Sequence, residues 1–249
     1  MDKGVIAIIP ARMKSSRFPG KPLAEIDGVP MVVRVAKNVS SVFGVDNTFV
    51  ATDSDLIAST CKENGINTVV VTARCENGTE RCILAMKQLD LPQSAILFNI
   101  QGDEPGLDPQ SIDSFRRQVL SRPNVKAANG FYLESENTAS RGANSVSLVT
   151  DRQNQLLYAS RCALPSQIKS KDPSLYRRKY QVGIYAFSNQ ARESFMESKG
   201  DLGPLESSED IEILRLVENQ LEVQMVPLAG EFTPVDTPED LELYCRKIP

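Results

Sequence analysis

The sequence predicts an α/β fold, a mostly parallel sheet with helices on both faces. Three observations carry this. Apolar, β-branched runs alternate with segments of helical periodicity through the first half of the chain. The runs are continuous rather than alternating polar and apolar, as strands buried on both faces are. Polar stretches rich in charge follow directly on several runs, where open α/β sheets place their ligands. The 249 residues suit one domain spanning 1–249, with about 126–190 as an antiparallel extension within it.

The elements follow in order. "VIAIIPA" (5–11) is a buried strand, and "VPMVVRVAKNVSSV" (29–42) has apolar residues at helical spacing, with Pro30 acceptable in a first turn. "NTFVATD" (47–53) is a second strand, and "SDLIASTCKENG" (54–65) a capped helix that ends at a glycine. "INTVVVT" (66–72) is a third strand, "GTERCILAMKQL" (78–89) a helix, and "SAILFNIQGDEP" (94–105) a fourth strand that runs into a turn. A helix over 109–120 follows. Beyond residue 125 the helices thin out: 126–133, 145–151, 155–161 and 180–187 read as strands, with a polar loop over 166–179. The chain closes with a helix over 209–220, a strand over 222–228 and a helix over 237–247. In this order the loops after Ala11, Asp53, Thr72 and Ile100 share one rim of the sheet.

Composition removes several function classes. The formal net charge of −4 argues against a broad nucleic-acid-binding surface. No stretch approaches the ~18 apolar residues of a membrane span, and the N-terminal apolar run is broken at once by Pro10 and Arg12. The five cysteines form no CxxC pair, so reduced thiols in a cytoplasm are expected rather than zinc or disulfides. The chain has no histidine, which excludes Ser–His, Cys–His and histidine-ligated metal chemistry. Carboxylates, cations, hydroxyls, backbone amides and a hard metal ion remain.

Six stretches carry that chemistry. "IIPARMKSSRFPGKP" (8–22) sets Arg12, Lys14, Arg17 and Lys21 on one loop after the first strand. It matches neither the dinucleotide nor the P-loop fingerprint. Its cations and the N–H groups near Ser15, Ser16 and Gly20 suit an anion nest for a triphosphate, and they suit a solvated loop equally. "FNIQGDEP" (98–105) puts Asp103 at a strand end, where it is either one of the one or two carboxylates of a magnesium site or part of a helix-entry turn. In "PVDTPEDL" (234–241), Thr237 and Asp240 form a capping box, so Asp236 is not needed for capping and is free to be a second rim carboxylate. "NGTERC" (77–82) places Thr79 and Arg81 at a helix start, to contact a base or phosphate or simply to begin the helix. "YASR" (158–161) and "YQVGIY" (180–185) offer Arg161 and Gln181 to an anionic, hydroxyl-rich molecule.

Together these stretches, with "VATD" and "PLE", resemble the CMP-3-deoxy-D-manno-octulosonate synthetase family, the cytidylyltransferases of bacterial lipopolysaccharide assembly. The resemblance spans nearly the whole chain and is most specific in the first loop, the QGDEP turn and VDTPEDL. It implies a Rossmann-like nucleotidyltransferase fold, a cytoplasmic homodimer, CTP as donor and Mg²⁺ as cofactor. The implied reaction is attack by the anomeric hydroxyl of an acidic keto-sugar on the α-phosphorus of CTP, with pyrophosphate leaving. In family terms Arg12, Arg17 and Lys21 hold the triphosphate, while Ala11, Thr79, Arg81 and Gln101 surround the cytidine. Asp103 and Asp236 hold the metal, and Arg161, Tyr185 and Glu212 meet the sugar acid. Arg12, Lys21, Asp103 and Asp236 would be the catalytic set.

The departures fall in the sugar half. Many members carry His where this chain has Gln181, and a Glu-Gln pair where it has Glu212-Ile213. Ser208 and Asp210 add polarity nearby, and a carboxylate such as Asp210 would suit the ammonium of 8-amino-3,8-dideoxy-manno-octulosonate, the substrate of one variant in this family. Two other readings are weaker. Transferases for sialic-acid-type sugars usually have a glycine-rich first loop, and a non-catalytic nucleotide-binding protein has less need of two metal carboxylates. The family pattern uses Arg12, Arg17 and Lys21 but not Lys14. Lys21→Ala is therefore expected to reduce CTP-dependent pyrophosphate release far more than Lys14→Ala, and equal losses would contradict this division.

Overall fold

The computed structural model describes residues 4–15, 17–122, 124–134, 145–166, 177–230, 232 and 234–247. Strand β1 (Val5–Ala11) is buried along its length. Val5, Ala7, Ile9 and Ala11 enter one core cluster, while Ile6 and Ile8 enter the other. A strand covered on both sides presents no face to water, which explains its unbroken apolar run. A short hairpin, β2 (Glu25–Ile26) and β3 (Val29–Pro30), precedes helix α1 (Met31–Phe43). The helix thus begins two residues later than its periodicity suggests, because Pro30 holds extended backbone at the N-cap instead of the first turn.

Strand β4 (Thr48–Thr52), helix α2 (Asp55–Glu63) and strand β5 (Asn67–Val70) come next. Ser54 caps α2 by accepting from Ile57 N–H, and Gly65 at φ 71° turns the chain so that Ile66 N–H returns to Cys61 O at 2.9 Å. Helix α3 (Gly78–Gln88) is capped by Asn77, strand β6 (Ile96–Ile100) follows, and α4 (Pro109–Leu120) is capped by Asp108. Then come β7 (Ala127–Leu133), β8 (Ser147–Thr150), β9 (Leu156–Ser160) and β10 (Lys179–Phe187). The expected polar loop lies outside the described residues over 167–176.

Among the described residues these strands and β11 (Val223–Pro227) form one sheet, ordered β11-β7-β10-β6-β1-β4-β5, with β8 on β10 and β9 on β8. The β6-β1-β4-β5 part is parallel throughout, and β10 runs antiparallel between β6 and β7. Within 126–190, therefore, β8 and β9 form an antiparallel extension, whereas β7 and β10 belong to the central sheet. Helices α1, α2 and α4 cover one face, and α3, α5 (Asn189–Glu197) and α7 (Leu214–Glu218) the other.

Of the helix expected over 209–220 only α7 forms; a separate helix, α6 (Pro204–Glu209), precedes it and ends where Asp210 adopts a left-handed conformation at φ 52°. What holds this broken segment down is ionic. Arg215, 1% exposed, takes Glu206 in a fork of 2.6 and 2.8 Å, reaches Glu80 on α3 at 3.0 Å, and lies over the Phe195 ring. Removing one partner of a buried network strands the others without compensation. Arg215→Met is expected to lower unfolding stability by about 3–5 kcal/mol in urea titrations, and a loss under ~1 kcal/mol would show that the network is not a structural keystone.

Candidate active site

The loop after β1 folds back on itself. Gly20 sits at φ 75°, a left-handed value that costs glycine little, and its N–H returns to Met13 O at 3.1 Å. This turn feeds Lys21 inward. Its ammonium lies 2.7 Å from Asp103 Oδ2 and 3.2 Å from Asp236 Oδ1, and Arg17 reaches the same Asp236 oxygen at 3.1 Å. Arg12 and Lys14 are exposed and make no ion pair among the described residues. Of the expected nest, Ser15 accepts from Phe18 N–H, and Ser16 lies outside the described residues.

Main-chain contacts bring the two carboxylates together. Val235 N–H donates to Asp103 O at 2.9 Å, tying the segment before helix α8 (Pro238–Lys247) to the turn after β6. Val235 is fully buried with Ile26 and Met31, so the hairpin and α8 share a small third core. The capping box forms as the sequence suggests: Asp240 accepts from Asp236 and Thr237 N–H, and Thr237 Oγ1 accepts from Asp240 N–H. The Asp236 side chain is thereby left to the site. On the other side, Gln101 N–H donates to Gly183 O, and Gly183 N–H donates to the buried Glu104 carboxylate, both at 2.8 Å. A Cβ on Gly102 would meet Pro10 O at 2.9 Å, and one on Gly183 would meet Glu104 at 2.8 Å. Close approach, of the Pro10 backbone at Gly102 and of the Glu104 side chain at Gly183, rather than loop flexibility, favours glycine at both positions.

Gly183 lies in an irregularity of β10, where the register against β7 shifts between Val182 and Tyr185. Asn129 of β7 donates to the carbonyls of Val182 and Ile184, both at 2.9 Å, and accepts from Gln181 Nε2 at 2.9 Å. An amide side chain therefore satisfies the carbonyls around the shift, where unpaired buried groups would be costly.

Thr79 and Arg81 are placed behind the rim. Thr79 Oγ1 accepts from Asn99 Nδ2, which in turn leaves Asn99 Oδ1 to accept from Gln101. Arg81, 4% exposed, joins the ends of β5 and β4 through Val71 O and the Asp53 carboxylate. The N-terminus of α3 is occupied by Glu212, which accepts from Gly78 and Thr79 N–H, both at 3.2 Å. Burial pushes the Glu212 carboxyl up; these hydrogen bonds pull it down without fully offsetting that cost.

Two cavities adjoin here. The smaller, about 110 Å³, is walled by Ala11, Arg12, Ser15, Lys21, Gln101 and Asp103. The larger, about 200 Å³, is lined by Gln101, Asp103, Asp236, Arg161, Tyr185, Gln181, Asp210 and Glu212 among others. Gln101 and Asp103 belong to both. Every residue that the resemblance or the departures placed against a ligand, except Thr79 and Arg81, thus lines one cavity or the other; Lys14 lines neither. Sequence reasoning missed Glu104, Asn99 and Asn129, whose roles depend on partners distant in the chain.

Residues 6–224 match the family model described as cytidylyltransferase. The chain belongs to the cytidylyltransferase family. It is a nucleotidyltransferase. It is 35% identical over 241 residues to the 8-amino-3,8-dideoxy-manno-octulosonate cytidylyltransferase of Shewanella piezotolerans, covering 96% of both chains. It is 33% identical over 239 residues to the mitochondrial 3-deoxy-manno-octulosonate cytidylyltransferase of Arabidopsis thaliana, covering 96% of this chain and 81% of that one. A solved CMP:2-keto-3-deoxy-manno-octonic acid synthetase complexed with CTP superposes with a TM-score of 0.85 at 28% identity, covering 97% of each chain. Among the described residues of this cytidylyltransferase, no helix is long and apolar enough to cross a membrane.

The donor set suits a hard cation. Among the described residues no three acidic, cysteine or histidine side chains cluster as a metal cage. Asp103 and Asp236 nevertheless converge on one point that holds positive charge, the Lys21 ammonium. Two carboxylates are the usual protein share of a magnesium site that also takes substrate phosphate oxygens. Burial alone would lower the Lys21 pKa, but Asp103 and Asp236 outweigh it and raise it above the ordinary 10.5. A raised ammonium contributes its full stabilisation below 10.5 and loses it as pH climbs through the folded-state value. Urea unfolding of Lys21→Met should therefore show a stability deficit against the parent at neutral pH that shrinks only at pH above 10.5. A deficit that shrinks on acidification to neutral pH would be the wrong sign.

Proposed function

We propose that this enzyme transfers CMP from CTP to the anomeric hydroxyl of a 3-deoxy-manno-octulosonate-type sugar acid, releasing pyrophosphate in lipopolysaccharide biosynthesis. The observation that carries the reading is the pair of adjoining cavities that share Gln101 and Asp103. A cation-lined donor side and a wider acceptor side meet at one carboxylate, as an in-line displacement between two bound molecules requires. On the donor side Arg12 and Lys21 bind and orient the triphosphate, while Arg17, expected there too, lines the wider cavity beside Asp236 and adds its charge from that side as the phosphorus reacts. On the acceptor side Arg161 meets the sugar carboxylate, and Tyr185, Gln181 and Glu212 meet hydroxyls. Asp103 and Asp236 hold Mg²⁺, which supplies electrostatic stabilisation of the phosphate oxygens and makes a bound hydroxyl more acidic. The resemblance adds a homodimer working in the cytoplasm.

Within that class the 8-amino sugar is the preferred acceptor. Besides Asp103 and Asp236, which pair with Lys21, the wider cavity carries the carboxylates of Glu104, Asp210 and Glu212 against the guanidinium groups of Arg17 and Arg161. A substrate bearing an ammonium as well as a carboxylate complements this excess better than one with a carboxylate alone. Asp210 is the carboxylate most accessible to it, its side chain 99% exposed at the cavity mouth and 3.6 Å from Arg161 Nη2. Assaying 3-deoxy-manno-octulosonate and its 8-amino analogue, each with CTP and UTP, should give a CTP-dependent kcat/KM about tenfold or more in favour of the amino sugar, equivalent to ~1.4 kcal/mol. Asp210→Ala should narrow that ratio. A clear preference for the unmodified sugar, with CTP, would leave the transferase reading standing and overturn the amino-sugar one.

A further inference from the structure

The acceptor side contains a clasp that neither the sequence motifs nor the reaction assigns. Glu209 is the last residue of α6, facing the end of β9. Its Oε1 accepts from Tyr158 OH at 3.0 Å and Ser160 Oγ at 2.7 Å, and its Oε2 accepts from Arg161 N–H at 2.9 Å. The Arg161 side chain returns the contact. Nε donates to Glu209 O at 2.8 Å and Nη2 to Asp210 O at 2.7 Å. Two segments 48 residues apart are thereby locked reciprocally, each by a side chain of the other. The left-handed turn at Asp210 aims both carbonyls at the guanidinium, Asp210 Oδ2 stands 3.6 Å from the same Nη2, and among the described residues Nη1 remains for a ligand. Both Arg161 and Asp210 line the wider cavity.

We propose that Glu209 is the positioning residue for Arg161, fixing its guanidinium before the acceptor arrives and so setting the enzyme's affinity for the sugar acid without touching the nucleotide. The physical warrant is preorganisation: an arginine already held by two main-chain acceptors loses less freedom on gripping a carboxylate than a free one. The carboxylate of Glu209 also satisfies both hydroxyls of the β9 end, so its loss releases the strand and the arginine together.

The inference rests on the sugar-acid reading above, so its test has one arm that needs no sugar. In ¹⁵N-labelled protein without substrates, the Arg161 Nε–H resonance, assigned by its disappearance in Arg161→Lys, should show the heteronuclear NOE of ordered backbone. In Glu209→Ala it should fall to that of exposed arginines, and Glu209→Gln, which keeps one acceptor oxygen, should lie between. In steady-state assays Glu209→Ala should raise the sugar KM at least about tenfold while the CTP KM stays within about twofold, with Glu209→Gln recovering part of the loss. A residue that merely stabilised the fold would lower the melting temperature and leave both KM values alone. An Arg161 signal as ordered in Glu209→Ala as in the parent, or KM values for sugar and CTP that rise together, overturns the proposal. If the parent enzyme accepts neither octulosonate, the substrate reading fails, and the Arg161 signal alone decides the clasp.

Discussion

The site is organised by one shared cation. Asp103 and Asp236 stand 133 positions apart in sequence, yet both touch the Lys21 ammonium. Two carboxylates that close would repel by about a few kcal/mol at the effective dielectric of a protein surface. Their approach therefore needs a positive charge between them and a backbone that keeps them from parting. Lys21 supplies the charge, and the Val235–Asp103 main-chain hydrogen bond supplies the restraint. The hairpin before α1, the third small core and the capping box of α8 all position this bond. The arrangement also accounts for two of the four cations on the opening loop of an acidic chain: Arg17 and Lys21 answer a concentration of negative charge contributed by two other loops.

What was legible in the sequence is what depends on neighbours along the chain. The span of β1, the start of α4 at Pro109 and the capping box at Thr237 follow from apolar runs, proline placement and side chains three residues apart. Asp236 could be singled out because local chemistry accounts for every neighbour but not for it. The break at Asp210 was not legible, since the helical periodicity of "EDIEILRLVENQ" continues through it. The break is made by tertiary partners, Arg215 with Glu80 and Glu206, and Arg161 with the carbonyls at the α6 end. The antiparallel character of 180–187 was expected, but the place of β10 in the middle of the sheet was hidden, because an apolar strand does not reveal which strands flank it.

The same distinction runs through the site residues. Arg12, Arg17, Lys21, Asp103, Asp236 and Arg161 all line the cavities, and most of them stand just past the end of a strand or beside a cap. Thr79 and Arg81 illustrate the limit of that reasoning. A helix N-terminus on the ligand rim suggests an anion site, but here Glu212 already occupies it from the other side of the chain. Arg81, one turn further in, is committed to Asp53. Only the fold could show that this rim position is filled from within.

The two halves of the site are held by different forces, and this bears on how each can change. The donor half is fixed mainly by backbone: the Gly20 turn, the Gly102 approach to Pro10 and the Val235–Asp103 bond. Such contacts survive most side-chain substitutions and are lost only when glycine or the chain path is lost. The acceptor half is fixed by side chains: Asn129 with Gln181, Glu212 on α3, Arg215 in its ion network and Glu209 with Arg161. Each of these is one substitution away from a different shape. A scaffold built this way can keep one nucleotide donor while its sugar pocket drifts, and the departures at Gln181, Asp210 and Ile213 all fall on the side-chain-held half. On the proposed reading, substrate preference is set by the polar clasps around the α6–α7 break, where a carboxylate can be gained without disturbing the sheet beneath it.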